Sequence, residues 1–264
     1  SSAASDVYKR QVTASQTTTN LPAGFDHALR YECTTADTSI AAGDHFGIMY
    51  VPESQDLARI AKGTNSAKPI TLSFYVRSNV RKTFVVELTD SSNSRHINFQ
   101  KIVTATNTWE RMVINIPADT SGSFGTGNNK AGEINWWLAA GSTYTSGSTQ
   151  SAWTSRSNAN IMAGTQNLND TVGNFIEITG VQLEVGRNAT EFEHRSFAEE
   201  LSLCQRYFFR MQPGDNYSGY GMGGAYSSTQ AVAFMYFPVP MRISPDFSYN
   251  GALSTFYDKI GGFG

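Results

Sequence analysis

The sequence predicts an all-β protein: a two-sheet sandwich, then a short helix, then the start of a second β segment. Three observations carry this. Several segments alternate apolar and polar residues at the strand period of two. They are separated by turns rich in Gly, Asn and Ser rather than by helical patterns. The one stretch with helical spacing follows them, behind a capping pattern.

Taken in order, residues 28–34, 45–51 and 57–61 read as weaker strands. In 70–77, Ile70, Leu72, Phe74 and Val76 share one face, while Thr71, Ser73, Tyr75 and Arg77 share the other. The inward set of 83–90 is Phe84, Val86 and Leu88. Residues 95–103 are a weaker strand, and 111–116 repeats the theme with Met112, Ile114 and Ile116. In 133–139, Trp136 and Leu138 fall on one face and Trp137 on the other, so one tryptophan is core and its neighbour points outward or into a subunit contact. In 175–185 the apolar positions slip phase: Ile176 and Ile178 are even, while Val181, Leu183 and Val185 are odd. A strand keeps one face only if its period is unbroken, so the slip at Thr179-Gly180 predicts a β-bulge. About nine strands with no helix between them favour a sandwich. Two long loops interrupt the rhythm, 118–132 and 141–173, and loops of such length are uncommon unless functional or disordered. No internal repeat of fixed period supports a β-helix.

The helix follows at once. Ser196-Phe-Ala-Glu199 is a capping-box pattern, with Ser196 as N-cap and Glu199 at N3. Phe197, Leu201, Cys204 and Phe208 form one apolar stripe, and Leu203 and Tyr207 a second beside it. Apolar residues on two sides of so short a helix imply burial on more than one side. Either helices from three chains meet in a homotrimer, or the helix is clamped between the sandwich and the following β region. Just before it, residues 191–195 are dense in charge, with Phe192 as the one large apolar anchor. Beyond it, 212–228 reads as loop, including GYGMGGAY at 219–226, and 231–238 as a new strand. The expected organisation is a sandwich over 12–186, a connector and helix over 187–210, and a partial β region over 211–264.

The run ITGVQLEVG, then AT-x-FEHRS, then EL-x-LCQRYF, specific over roughly Ile176–Tyr207, resembles a signature at the end of the jelly-roll domain in many bacteriophage tail-fibre and virion-appendage proteins. The resemblance extends more loosely back to about His27, through LSFYVRS, the TW of TNTWE and WWLAAGS. It implies a jelly roll of the galactose-binding, carbohydrate-binding-module type. It also implies a virion structural or receptor-binding role, in a tail fibre or other appendage, and it fixes no ligand. Separately, Asp6–Gln11 (DVYKRQ) is the in-frame translation of the end of a widely used transposase sequencing adapter. Residues 1–11 are therefore read as an assembly scar on an environmental sequence fragment, truncated at the N-terminus and expected to be truncated at the C-terminus, and are set aside.

Composition removes several function classes. Of 264 residues 40% are hydrophobic and 16% charged, and the net charge of −2 offers no basic footprint for nucleic acid. No run approaches the roughly 18 apolar residues that span a bilayer. The two cysteines, Cys33 and Cys204, lie far apart and read as free, buried thiols, Cys204 because it sits on the helix stripe. His27, His45, His96 and His194 fall in separate segments without metal-ligand spacing. There is no nucleophile elbow, phosphate loop or dinucleotide fingerprint. Asp215, Glu193 and Glu199 have ordinary turn or cap explanations. The chain is expected to be non-enzymatic and to need no cofactor. Modules of the resembled type often hold a structural calcium; Asp37, Asp119 and Glu184 are conceivable ligands, but no oxygen-ligand spacing supports them.

Binding has better candidates. Aromatic platforms flanked by amides and carboxylates suit the apolar faces and hydroxyls of saccharides. Trp136, Trp137, Tyr144 and Trp153 cluster around the start of the long loop. Each either packs the structure or meets a ligand; Tyr144 and Trp153, on the loop itself, are the stronger candidates for contact, with Trp137 beside them. Asn158, Asn160 and Asp170 are candidate polar partners. The resulting expectation is an extracellular phage virion component presenting a glycan-binding jelly roll. The alternatives are a purely architectural spacer and a cellular carbohydrate-binding module of a secreted hydrolase.

Overall fold

A computed structural model of the chain describes residues 11–210, 222–225, 231–234 and 236–244. Its contacts divide it into two units, parted between Glu193 and His194.

The first unit is a jelly-roll sandwich of two antiparallel sheets, its strands numbered in chain order. One sheet runs, edge to edge, β1 (Gln11–Thr17), β2 (Ala28–Thr35), β10 (Phe175–Val185), β4 (Ile70–Ser78) and β7 (Glu110–Ile116). The other runs β3 (His45–Tyr50), β8 (Gly132–Ala140), β5 (Thr83–Asp90), β6 (Arg95–Ile102) and β9 (Thr154–Ser155). The chain crosses repeatedly between the sheets, and the faces turned toward each other carry the core. Leu72, Phe74, Val76, Ile114 and Ile176 come from the first sheet and meet Val86, Ile97, Trp136 and Leu138 from the second. The Phe74 and Trp136 rings meet edge to face at 5.7 Å. Burying each such side chain contributes about 1.5–3 kcal/mol. The alternation in β4, β5 and β7 is thus that of core-facing and outward positions, and in β4 and β5 many of the outward positions are buried as well.

The bulge in β10 lies where the phase slips. Thr179 stands opposite Tyr75 and Gln182 opposite Ser73, so Gly180 and Val181 share the single partner position of Phe74. Gly180 has φ 59°, in the left-handed region. A Cβ there would also lie 2.6 Å from the Phe25 ring. Only glycine meets both demands without strain. The extra residue lets Ile178 and Leu183 both face the core.

Three expectations are corrected. Residues 57–61 are not a strand: α1 (Ser54–Leu57) leads into a 3-10 turn, Ala58–Ile60. Leu57 and Ile60 are three apart, which is helical spacing, and both reach the core. The Ser54 hydroxyl anchors the turn by donating to the Phe124 carbonyl at 2.6 Å. The stretch 141–173 is not an unstructured loop but carries α2 (Ser142–Thr145), β9, α3 (Asn158–Ile161) and a 3-10 turn at Leu168–Asp170. And β1, which the sequence does not announce, is a mostly exposed edge strand held by its pairing with β2; Gln11 opens it.

In the second unit, α4 (Phe197–Gln205) begins as the capping box requires, the Ser196 side chain accepting from the Glu199 amide at 3.3 Å. Phe197, Leu201 and Leu203 on it, and Tyr207 and Phe208 just beyond it, are all exposed, Phe197 at 82%. Cys33 is buried but Cys204 is exposed, contrary to its expected burial, and both are free thiols. β11 (Met222–Ala225) pairs with β12 (Ala231–Phe234). The former corrects the reading as loop for Met222–Ala225, the rest of 212–228 lying outside the described residues, and the latter stops short of residue 238. Asp215 lies outside the described residues.

Candidate functional site

The outer face of the second sheet is where most of the expected site residues converge, and it is covered. On β5, β6 and β8 the positions turned away from the core include Glu87, His96, Asn98, Asn135 and Trp137. Their register places Glu87 between Asn98 and Asn135. The segment 141–173 folds over them. Ile161 and Met162, at the end of α3, pack on Val85 and Trp137 as a second apolar cluster. Asn98 Nδ2 donates to the carbonyls of Asn160 and Ile161 at 2.5 and 3.2 Å. Gln100 Nε2 donates to the Ala163 carbonyl at 3.0 Å.

Glu87 is the centre of this layer and is fully buried. It accepts from His96 Nδ1 at 2.9 Å, Trp137 Nε1 at 3.0 Å, and Arg156 Nε and Nη2 at 3.0 and 3.2 Å. Burial works to raise its carboxyl, but hydrogen bonds from His96 and Arg156, the Arg156 charge and the Trp137 bond outweigh it and hold the group below the usual glutamate range. An ionised carboxylate only accepts, so His96 carries hydrogen on Nδ1. Arg156 comes from the covering segment. The carboxylate therefore pins the cover to the sheet and is saturated by protein donors. The other sheet repeats the device: Glu177, buried, is clamped by Arg30 at 2.6 Å and Arg77 at 2.7 Å, both lying over the Phe175 ring.

The six expected ligand residues divide into two groups. Trp137 lies under the cover, with its ring over Gly47, where a Cβ would come within 2.7 Å of it. His45 stands edge-on to Trp137 at 5.3 Å and to Tyr144 at 5.0 Å. Tyr144 is half-buried and His45 exposed, so these two rings form an open ledge on a fixed base at the β3 edge. Asn158, on α3, is exposed nearby, since α2 and α3 pack together. Asn160 is partly spent: its Oδ1 accepts from the Ser148 amide at 3.0 Å. Trp153 and Asp170 belong elsewhere. Trp153 is not a surface platform; it is 9% exposed, donates from Nε1 to the Pro117 carbonyl at 3.0 Å, and meets Phe124 edge-on. Asp170 pairs with Lys82 and accepts from Asn174 Nδ2 at 3.0 Å. Burial pushes its carboxyl up, but the Lys82 bond and charge prevail and hold it low.

Phe192 packs on Phe25 at 5.1 Å, and Phe25 on Tyr75 at 5.3 Å, directly over the Gly180 bulge. It anchors the end of the first unit. The three conceivable calcium ligands are not gathered. Asp37 accepts from the Ser39 amide, Glu184 binds Thr190, and Asp119 is engaged by Arg95 and Lys62. Burial raises the Asp119 carboxyl, but the Arg95 hydrogen bond, the Ser121 amide and Lys62 outweigh it and hold it low. Among the described residues, no group of three His, Cys, Asp or Glu side chains is placed to hold a metal. No described helix is long and apolar enough to cross a membrane. Sequence reasoning missed His45, Glu87, Lys62 and Arg156; the strand alternation did place Glu87 off the core face, but nothing in it marks what lies above.

No protein-family model matches the chain, and no curated protein matches it. Among solved structures it is similar to the enzymatically active domain of tailspike protein 4 of bacteriophage CBA120, at 10% identity and a TM-score of 0.36. The match covers 66% of this chain, which spans only 18% of that one. It is also similar to a xylan-binding domain from Paenibacillus barcinonensis, at 12% identity over 68% of this chain and 86% of that one, TM-score 0.32. A family 11 carbohydrate-binding module from Clostridium thermocellum, in complex with a mixed-linked tetrasaccharide, gives 9% identity over 69% and 86%, TM-score 0.33. Likeness at these identities concerns the fold alone.

Proposed function

We propose that this chain is a non-enzymatic recognition module of a phage tail fibre or related virion appendage, whose sandwich offers an aromatic ledge to a host cell-surface glycan. The observation that carries the glycan part is the Tyr144–His45 pair, open on one side and supported from beneath by Trp137. Such rings present flat apolar faces to sugar C–H groups, and exposed Asn158 supplies amide donors and acceptors beside them. The virion context rests on the signature over roughly Ile176–Tyr207. Single sites of this openness bind weakly, so affinity comes from repetition on an oligomer. In glycan-array measurements on an oligomeric preparation, Tyr144→Ala is expected to weaken binding about tenfold, the equivalent of about 1.4 kcal/mol, with melting unchanged. Absence of any glycan binding by the unmodified oligomer counts against the reading.

A second reading, a purely architectural virion spacer, is favoured by the exposed apolar residues of α4. Five large apolar side chains within twelve residues form a surface suited to other copies of this chain or to other virion proteins. A homotrimer is the assembly proposed here, with α4 helices meeting at its axis. Light scattering is expected to give a trimer for the native chain and a monomer for Leu201→Asp. A native monomer that the substitution leaves unchanged removes the trimer.

A further inference from the structure

Away from the ledge, Lys62 is held in an unusual place. It follows the 3-10 turn Ala58–Ile60, and its side chain is 2% exposed. Nζ lies 2.5 Å from Asp90 Oδ2 and 3.1 Å from Asp119 Oδ2. It also donates to the carbonyls of Ser121 and Gly122, each at 3.0 Å. The rings of Phe124 and Trp153 wall the site, with centroids 5.1 and 4.9 Å from Nζ. On the far side, Asp90 Oδ1 accepts from the Asn93 backbone amide at 3.2 Å and from Asn93 Nδ2 at 2.9 Å; Nδ2 is also 3.0 Å from Oδ2. Two glycines let the loops close this tightly. Gly63 and Gly122 both have left-handed φ, 82° and 70°. A Cβ on Gly63 would stand 2.7 Å from the Gly122 carbonyl oxygen, and one on Gly122 would stand 3.0 Å from Asp90 Oδ2.

A buried amine against a buried carboxyl, with a second acid beside them and apolar rings around them, is the arrangement that direct amide formation needs. We propose that Lys62 and Asp90 condense to an intramolecular amide, with Asp119 relaying a proton. One proton passes from the Lys62 ammonium to Asp90 Oδ2 across the 2.5 Å contact between them, which leaves an amine and a carboxylic acid. The amine lone pair attacks Asp90 Cγ and the N–C bond forms. Negative charge develops on Oδ1, where both N–H groups of Asn93 donate. Asp119 takes a second proton from Nζ and returns it to Oδ2. The Cγ–Oδ2 bond breaks and the oxygen leaves as water. Ammonium and carboxylate become a secondary amide and one water, with no oxidant, metal or cofactor. The remaining N–H keeps one of the two carbonyl acceptors. Holding the reactants in contact replaces a bimolecular encounter with an intramolecular step, which is the main source of acceleration for such condensations.

The link would tie β5 to the turn after α1, closing a loop between residues 28 apart. Like a disulfide it would restrict the unfolded chain, but reductants would not open it.

Intact-mass measurement of the whole denatured chain is the test. The expected mass is that of the sequence less one water. Tryptic digestion is expected to yield a branched peptide joining residues 60–77 to residues 83–95. Lys62→Arg, which keeps the charge but cannot form this amide, is expected to show the full sequence mass. Asp119→Ala, which keeps both reacting groups, is expected to accumulate the unlinked form. Full mass for the native chain, with Lys62 and Asp90 in separate peptides, would overturn the proposal and leave a buried ion pair. Loss of water without the branched peptide would overturn it equally. The native protein alone decides between these outcomes, whatever the variants' folding.

Discussion

Glu87→Ala is expected to lower the stability of the sandwich by about 3–5 kcal/mol, the usual cost of stripping one partner from a buried ionic network. Three donors would lose their acceptor at once: Arg156, His96 Nδ1 and Trp137 Nε1. Arg156 would then hold an uncompensated charge against the sheet, and the covering segment would lose its polar anchor. For a unit of this size, the loss is on the order of 10 °C in melting temperature. Urea titration of both proteins measures it; a change under about 1 kcal/mol, the worth of one ordinary hydrogen bond, would show that Glu87 is not the pin. The same carboxylate makes part of the stability depend on acid. Its folded pKa is depressed, so the folded state binds its proton less readily than the unfolded one does. Its contribution is complete above about 4.3, the unperturbed glutamate value, and is lost as pH falls through the lower folded value. The gap between the native protein and Glu87→Gln is therefore expected to narrow on acidification.

Trp153→Ala is expected to be comparably severe, about 3–5 kcal/mol for removal of a buried tryptophan. The indole fills the space beside Phe124, covers Lys62 Nζ and satisfies the Pro117 carbonyl. Glycan binding by the variant should fall only in proportion to the unfolded fraction, whereas Tyr144→Ala should weaken binding with the fold intact. Unchanged melting of Trp153→Ala would return this residue to the surface and to the list of ligand contacts.

The sandwich was legible wherever one strand face carries apolar residues and the other polar ones. In β4 the alternation of Leu72, Phe74 and Val76 is visible because nothing else in the chain keeps a period of two so long. The bulge was legible for the same reason: a phase slip is visible only against a regular pattern. Trp136 and Trp137 were correctly parted to opposite faces by parity. Parity does not say what covers an outer face. The cover is built from helices of four residues, too short to show a period. Its polar tie joins positions 69 apart. Trp153 lies in that irregular stretch, so its place in sequence suggested exposure while its contacts make it core. The ledge was half legible: Tyr144 was in view, but His45 becomes its neighbour only through the pairing of β3 with β8. On α4 the sequence showed the apolar stripes, whose large residues are exposed.

The order β1-β2-β10 has a mechanical consequence. β1 and β10 both run antiparallel to β2, and so run parallel to each other. The start of β1 therefore lies at the same end of the sheet as the start of β10, and Val185 lies at the opposite end. A pull applied at Gln11 and Val185 is directed along the strands, and it loads their cross-strand hydrogen bonds together in shear instead of peeling them one by one. A sandwich threaded this way carries tension through β1, β2 and β10, and the Gly180 bulge lies on the last of these.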